Sequence, residues 1–127
     1  MKISDLETLP DRLRTAREDL LEKGMKLETL QREMEKTRLK YKAQVSAERD
    51  DLGKNKYPNE PARDAATANW LGGDTQYQRH LAELDASRLD IEKQKIEVSF
   101  LMDRMEIART MAMLGDIAKE TLKGGKK

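Results

Sequence analysis

The residues most able to perform chemistry are His80, the single histidine of the chain, and Glu83, three positions later. That spacing places both side chains on one turn of a helix, where an imidazole and a carboxylate could ligate one metal ion. Helical bundles that hold metals with carboxylates repeat such a pair on another helix, and this sequence does not repeat it. Cysteine is absent, which removes thiolate catalysis and most zinc sites. We therefore expect no enzymatic activity, no metal and no cofactor.

A second set of residues could bind phosphate groups. Basic residues outnumber acidic ones from Lys36 to Lys56, and a tyrosine or tryptophan stands at positions 41, 57, 70 and 77. Basic side chains contact nucleic-acid phosphates, and aromatic rings stack on unpaired bases. The residues that would contact nucleic acid or a protein partner are Lys42, Arg49, Lys54, Lys56, Arg63 and Trp70. A solvated helix face, with a tryptophan that only pins a short helix, explains the same residues without any ligand.

The composition limits the fold and the partners. Charged residues make up 39% of the 127-residue chain and hydrophobic residues 37%, which is too polar for a thick core but suits long amphipathic helices. The formal net charge is +1, so no overall field attracts nucleic acid or a membrane. The chain starts without a signal-like leader and lacks an uncharged apolar run of about 18 residues. These features predict a soluble cytoplasmic protein with no membrane partner.

Large apolar residues recur at strict seven-residue intervals in the first part of the chain, a pattern typical of a coiled coil. The series is Leu6, Leu13, Leu20, Leu27, Met34 and Tyr41. Ser4 and Glu7 could form a capping box, and Pro10 is tolerated only near the first turn. Gly53 should end the helix. The pattern predicts a first helix over residues 5–52.

The stretch 53–73 predicts a turn followed by a short connector helix. Asn59 can cap this helix through its side chain, and the glycine pair at positions 72 and 73 can end it. Arg63 could reach back to Asp50 or Asp51 and so fix the geometry of the turn.

The spacing then predicts a second long helix over residues 75–123. It opens at Asp74 or Thr75, where Thr75 and Gln78 offer another capping box. Its seven-residue series is Tyr77, Leu84, Ile91, Val98, Met105 and Ala112.

Two long helices of nearly equal length around a connector favour one domain over residues 1–127. The predicted fold class is all-α: a long antiparallel helical hairpin with coiled-coil packing and a short connector helix. If residue 52 lies near residue 75, residues 98–118 lie alongside residues 9–29. Pairing within one chain and exchange of helices between chains both satisfy this pattern.

Residues 98–118 carry apolar side chains around the helix instead of on one stripe. Because one partner helix covers only one stripe, we expect several hairpins to assemble into a helical-bundle oligomer, of two, three or four copies. A methionine-lined groove for a peptide is the alternative interpretation. The predicted oligomer interface consists of Leu13, Leu20, Leu27, Phe100, Leu101, Met102, Met105, Met111, Met113, Leu114 and Ile117.

The segment Asn59-Glu60-Pro61-Ala62-Arg63-Asp64-Ala65, followed by Asp74-Thr75-Gln76-Tyr77-Gln78 and a charged helix, resembles small coiled-coil proteins of phage and prophage genomes. These proteins are often encoded near replication or recombination genes and pair an Asn-Glu-x-x-Arg segment with a downstream tyrosine. The resemblance covers residues 59–110, and Pro61 and the glycine pair depart from it. It implies a viral or mobile-element setting, with accessory work on DNA or inhibition of a host factor.

These observations predict a noncatalytic, self-associating interaction or scaffold protein that presents its turn region to an unidentified protein partner, such as a host or replication protein. The alternative is an accessory DNA- or RNA-binding protein that uses the basic turn region. Nucleic-acid binding should weaken steeply with salt, whereas apolar contacts with a protein should not.

Overall fold

The computed structural model describes the backbone of residues 3–124 and the side chains of residues 8–122. It contains three α-helices, α1 (Ile3–Ala47), α2 (Glu60–Gly73) and α3 (Thr75–Gly124). Within the described residues the only β-type pairing is an isolated bridge between Arg49 and Asn55. The two long helices pack against each other in antiparallel directions. The prediction of an all-α helical hairpin is confirmed.

The chain divides into two compact units. The first combines α1 up to Glu22 with α3 from Ile91 onward, and the second is the continuous stretch Lys23–Asp90. No helix within residues 3–124 combines the length and the low charge needed to cross a bilayer.

The core of the first unit lies between the start of α1 and the middle of α3. Leu9, Leu13, Ala16 and Leu101 are buried, with Val98 and Met105 packed against them. Gln94 Nε2 donates a hydrogen bond to the Ala16 carbonyl oxygen at 2.9 Å, which fixes the register of the two helices. Full burial of one large aliphatic side chain contributes about 1.5–3 kcal/mol. This small core is what holds the first unit together.

That register differs from the predicted one. Residues 98–105 lie against 9–16, whereas the sequence had placed all of 98–118 alongside 9–29. Every described α3 side chain from position 109 to 122 is exposed. The predicted alignment is wrong because α3 does not start beside residue 52. Tyr41 bonds to Asp74, so α3 starts eleven residues earlier along α1 than predicted.

The second unit is held by α2 as well as by the two long helices. Its buried apolar residues include Met34, Val45, Leu71 and Leu84. Buried Thr67 donates its hydroxyl to the Arg63 carbonyl oxygen at 2.8 Å, which satisfies the one polar group in this interior. Lys23 Nζ lies 3.2 Å from Asp90 Oδ1 and links α1 to α3.

The first helix ends at Ala47, so the prediction that it runs to residue 52 is wrong in its last turn. The Asp50 side chain accepts hydrogen bonds from the backbone N–H groups of Leu52 and Lys54, both at 2.9 Å. Such local side-chain bonds compete with helix formation. Gly53 follows with φ of +75°, a conformation that favours glycine, and the chain turns back.

The helix caps only partly follow the sequence. Asn59 caps α2 as predicted, because its side chain accepts from the Ala62 N–H at 2.9 Å. The capping box of Thr75 and Gln78 is wrong: Asp74 caps α3 by accepting from the Tyr77 N–H at 2.8 Å, and Gln78 Nε2 donates to the Leu71 carbonyl oxygen.

Two other expectations concern the ends of the elements. The predicted reach of Arg63 to Asp50 or Asp51 is wrong, since Arg63 bonds to Tyr57 and Glu60. The predicted capping box of Ser4 and Glu7, and the packing of Leu6, lie outside the residues whose side chains are described.

Candidate interaction surfaces

The first candidate surface, here called the tip, is built where the end of α1 meets α2 and the start of α3. It comprises Tyr41, Lys42, Glu60, Arg63, Asp64, Trp70 and Asp74. Asn59 sets the start of α2 and Asp74 sets the start of α3, so the two caps fix where these side chains lie.

A hydrogen bond from Tyr41 to Asp74 lies at the centre of the tip. The Tyr41 hydroxyl donates to Asp74 Oδ2 while the other carboxylate oxygen caps α3. The bond from Tyr41, together with that from the Tyr77 N–H, lowers the pKa of Asp74 below its ordinary value. The same bond raises the pKa of Tyr41, and desolvation of the phenol raises it further. One pair therefore connects α1 to the first turn of α3.

Ion pairs surround this bond. Lys42 Nζ lies 2.7 Å from Glu60 Oε1 and 3.9 Å from Asp64 Oδ1, which ties α1 to α2. Arg63 donates to Glu60 Oε2 and to the Tyr57 carbonyl oxygen, both at 3.2 Å. The hydrogen bonds from Lys42 and Arg63 lower the pKa of Glu60. Predicted contact residues Lys42 and Arg63 thus hold the connector in place.

The other predicted basic residues lie in the turn before α2. Arg49 donates to Asn55 Oδ1 and to the Ser46 carbonyl oxygen. Lys56 Nζ lies 3.6 Å from Glu48 Oε2 and 5.6 Å from the centre of the Tyr57 ring. Among these described side chains Lys54 alone has no ion-pair or hydrogen-bond partner. Most of the basic charge predicted to face phosphate is balanced by neighbouring acids.

Trp70 contacts Tyr41 edge to face, with ring centroids 5.7 Å apart and an interplanar angle of 71°. It keeps 37% of its surface exposed. Such a contact contributes about 0.5–1.5 kcal/mol beyond area burial. Trp70 therefore pins α2 to α1, the structural role that the sequence offered as its simpler explanation, and part of its surface stays accessible.

His80 lies half-buried on α3. Across the described residues, no group of three or more acidic or histidine side chains is arranged to hold a metal ion.

The second candidate surface is the apolar part of α3. Of the predicted interface residues, Leu13 and Leu101 are buried within the chain, Leu20, Leu27 and Met105 are half-buried, and the others are exposed. The exposed ones are Phe100, Met102, Met111, Met113, Leu114 and Ile117. Burial inside the hairpin leaves Leu13 and Leu101 out of any partner surface.

One face of α3 was not predicted from the sequence. Within the first unit, five exposed residues share one face of α3, which we call the α3 stripe: Ile96, Phe100, Ile107, Met111 and Leu114. They lie roughly 150° around the helix from the face that packs on α1, at about 100° per residue. The sequence prediction treated the apolar residues of 98–118 as one set, so it did not separate these two faces and it left out Ile96. A helical-wheel projection separates them.

Comparison with known proteins found no matching family model, no matching curated sequence and no matching solved structure.

Proposed function

We propose that this protein is a noncatalytic scaffold that self-associates through α3 and presents its tip to a protein partner. The exposed apolar residues of α3 carry the proposal. Ile107, Met111, Met113, Leu114 and Ile117 are each at least 54% exposed. Monomeric soluble proteins rarely leave a contiguous apolar patch of this kind open to water.

Helix stability supports the same conclusion. Beyond position 108, no described α3 side chain is buried against another element. A helical segment of about four turns is marginal in water by itself, and most helices in proteins are stabilised by packing of an apolar face. A second copy of the chain would supply that packing for both partners at once.

The tip supports a scaffold role in a different way. Its polar side chains are held by the bonds of Tyr41, Lys42 and Arg63, so the exposed part of Trp70 is presented from a fixed position. A preorganised surface loses less side-chain entropy on binding. The resemblance of residues 59–110 to phage coiled-coil proteins favours a host or replication protein as the partner, in the cytoplasm.

The test is light scattering on a sizing column. We expect the wild type to form an oligomer that persists in high salt, and Met111→Glu/Leu114→Glu to give a monomer because burying two carboxylates is unfavourable. Met25→Glu is the matched control, since Met25 is 62% exposed on α1 and is not one of the residues of the proposed surface. A monomeric wild type would contradict self-association.

A short single-stranded oligonucleotide added to the same column tests the alternative function. Uptake at low salt with release at high salt, abolished by Lys54→Glu, would favour nucleic-acid binding. The scaffold proposal expects no uptake at either salt concentration.

A further inference from the structure

We infer that α3 pairs in parallel and in register with α3 of a second copy through the α3 stripe. This inference rests on the proposed self-association and names its partner, its face and its direction.

The stripe is placed to contact a second helix while α1 stays bound. Its five residues are between 48% and 69% exposed. Their spacing of four, seven, four and three positions keeps them within about 35° of one mean direction. The opposite side of the helix, at Val98, Leu101 and Met105, already packs on α1. A second partner can therefore be added without breaking the hairpin.

The two edges of the stripe carry opposite charges. Glu92 and Asp103 border one edge, and Lys93 and Arg104 border the other, at about 35–65° from the centre of the stripe. Glu97, farther round on the basic side, borders α1 together with Gln94 instead. Glu92 lies 3.1 Å from Lys95, an exposed pair that exchanges readily with other partners. The stripe thus has an acidic edge and a basic edge.

Neither Asp103 nor Arg104 forms an ion pair within the described part of the chain. Arg104 lies over the ring of Phe100, with its guanidinium carbon 5.3 Å from the ring centre. That contact holds the guanidinium group at the border of the stripe. Both charges are therefore available to a second copy.

The symmetry of a two-helix dimer determines which edges meet in parallel and in antiparallel pairing. In a parallel pair the two-fold axis runs along the helices, so the acidic edge of each copy meets the basic edge of the other. Asp103 then faces Arg104 of the second copy at nearly the same height. In an antiparallel pair each edge meets its own counterpart, which places acid beside acid and base beside base. Complementary charge thus favours the parallel arrangement.

Because the chain contains no cysteine, single-cysteine variants test this directly. Ile96→Cys and Leu114→Cys are 18 positions apart, about 27 Å along a helix. A disulfide needs Cα atoms within about 7 Å. In a parallel, in-register pair each residue meets its own counterpart, so both variants should form disulfide-linked dimers under mild oxidation. In an antiparallel pair only a residue near the two-fold axis does so.

Asp116→Cys is the matched control. It is an exposed position two residues from Leu114 on the opposite side of α3, and it should not cross-link. A dimer by light scattering in which Ile96→Cys and Leu114→Cys do not both cross-link would overturn the parallel pairing and leave the scaffold proposal standing. A monomer in all experiments would overturn both.

A charge exchange gives a second readout. Asp103→Arg should weaken dimerisation roughly fivefold or more, because two symmetric ion pairs become two repulsive pairs. Adding Arg104→Asp should restore dimerisation, since the edges are then exchanged but still complementary. Equal dimerisation by the wild type and Asp103→Arg would contradict the parallel arrangement.

Discussion

The tip and the apolar part of α3 differ in how many of their side chains have a partner within the chain. At the tip, carboxylates, cations and a phenol are paired with one another, and both helix caps are formed within the chain. On α3 beyond Met105, large apolar side chains remain exposed. The charged residues of the tip, although conspicuous in the sequence, therefore hold the fold together, whereas the exposed apolar residues of α3 make no contact that buries them.

The largest expected effect is on stability, and it distinguishes the buried side of α3 from its exposed side. Leu101→Ala should lower the free energy of unfolding by about 2–5 kcal/mol, because Leu101 is 1% exposed and its removal leaves a cavity. Leu39→Ala, at a side chain that is 52% exposed on α1, should cost much less. Urea denaturation measures both.

Leu101→Ala should lower the free energy of unfolding by the same amount in the Met111→Glu/Leu114→Glu variant, which is expected to be monomeric. A loss that disappears there would mean that Leu101 acts through the oligomer and would break the distinction between the two faces.

The next effect concerns the exposed face. If folding is coupled to self-association, the free energy of unfolding of the wild type should increase by roughly 1.4 kcal/mol for each tenfold increase in protein concentration. Its melting temperature should therefore rise with concentration. Met111→Glu/Leu114→Glu should melt at one temperature at all concentrations. Calorimetry across a hundredfold dilution decides this, and a wild type that ignores dilution over that range would count against a dissociable oligomer.

A smaller effect tests the tip. Asn59→Ala removes the side-chain cap of α2 and should cost about 1 kcal/mol. Asn69→Ala is the matched control, an exposed position inside α2 where alanine favours the helix. Chemical denaturation should separate the two variants while the mass in solution stays unchanged. A change in mass with Asn59→Ala would show that the tip takes part in assembly.

The smallest effect is the pH dependence of the Tyr41–Asp74 pair. The lowered pKa of Asp74 stabilises the fold above its ordinary value of 3.8, and this contribution is lost as pH falls through the lowered value. The raised pKa of Tyr41 stabilises the fold below 10.0, and this contribution is lost as pH rises through the raised value. In Tyr41→Phe the loss of stability should be smaller than in the wild type at both low and high pH. Thermal melting from pH 2 to 12 measures this. An identical pH profile in the variant would mean that the bond adds no stability.

Several features of the fold were predictable from local pattern. The seven-residue series identified the residues that are buried in the hairpin, including Leu13, Met34, Leu84 and Ile91. The side chain of Asn59 acts within one turn, so its role as a cap could also be predicted. Local rules were less decisive where two residues compete. Asp74 and Thr75 both suit a helix cap, and the bond from Tyr41 favours Asp74.

The sequence by itself determined the helices, the connector and the absence of a thick core, because periodicity, capping residues and composition act over one or two turns. Only the tertiary structure decided the register of α1 against α3. The Tyr41–Asp74 bond sets where α3 begins, and the bond from Gln94 to the Ala16 carbonyl oxygen fixes the pairing farther along. Neighbouring registers of a heptad seam bury similar apolar surface, so long-range polar contacts choose between them. That choice also decides which apolar residues of α3 are buried and which remain exposed.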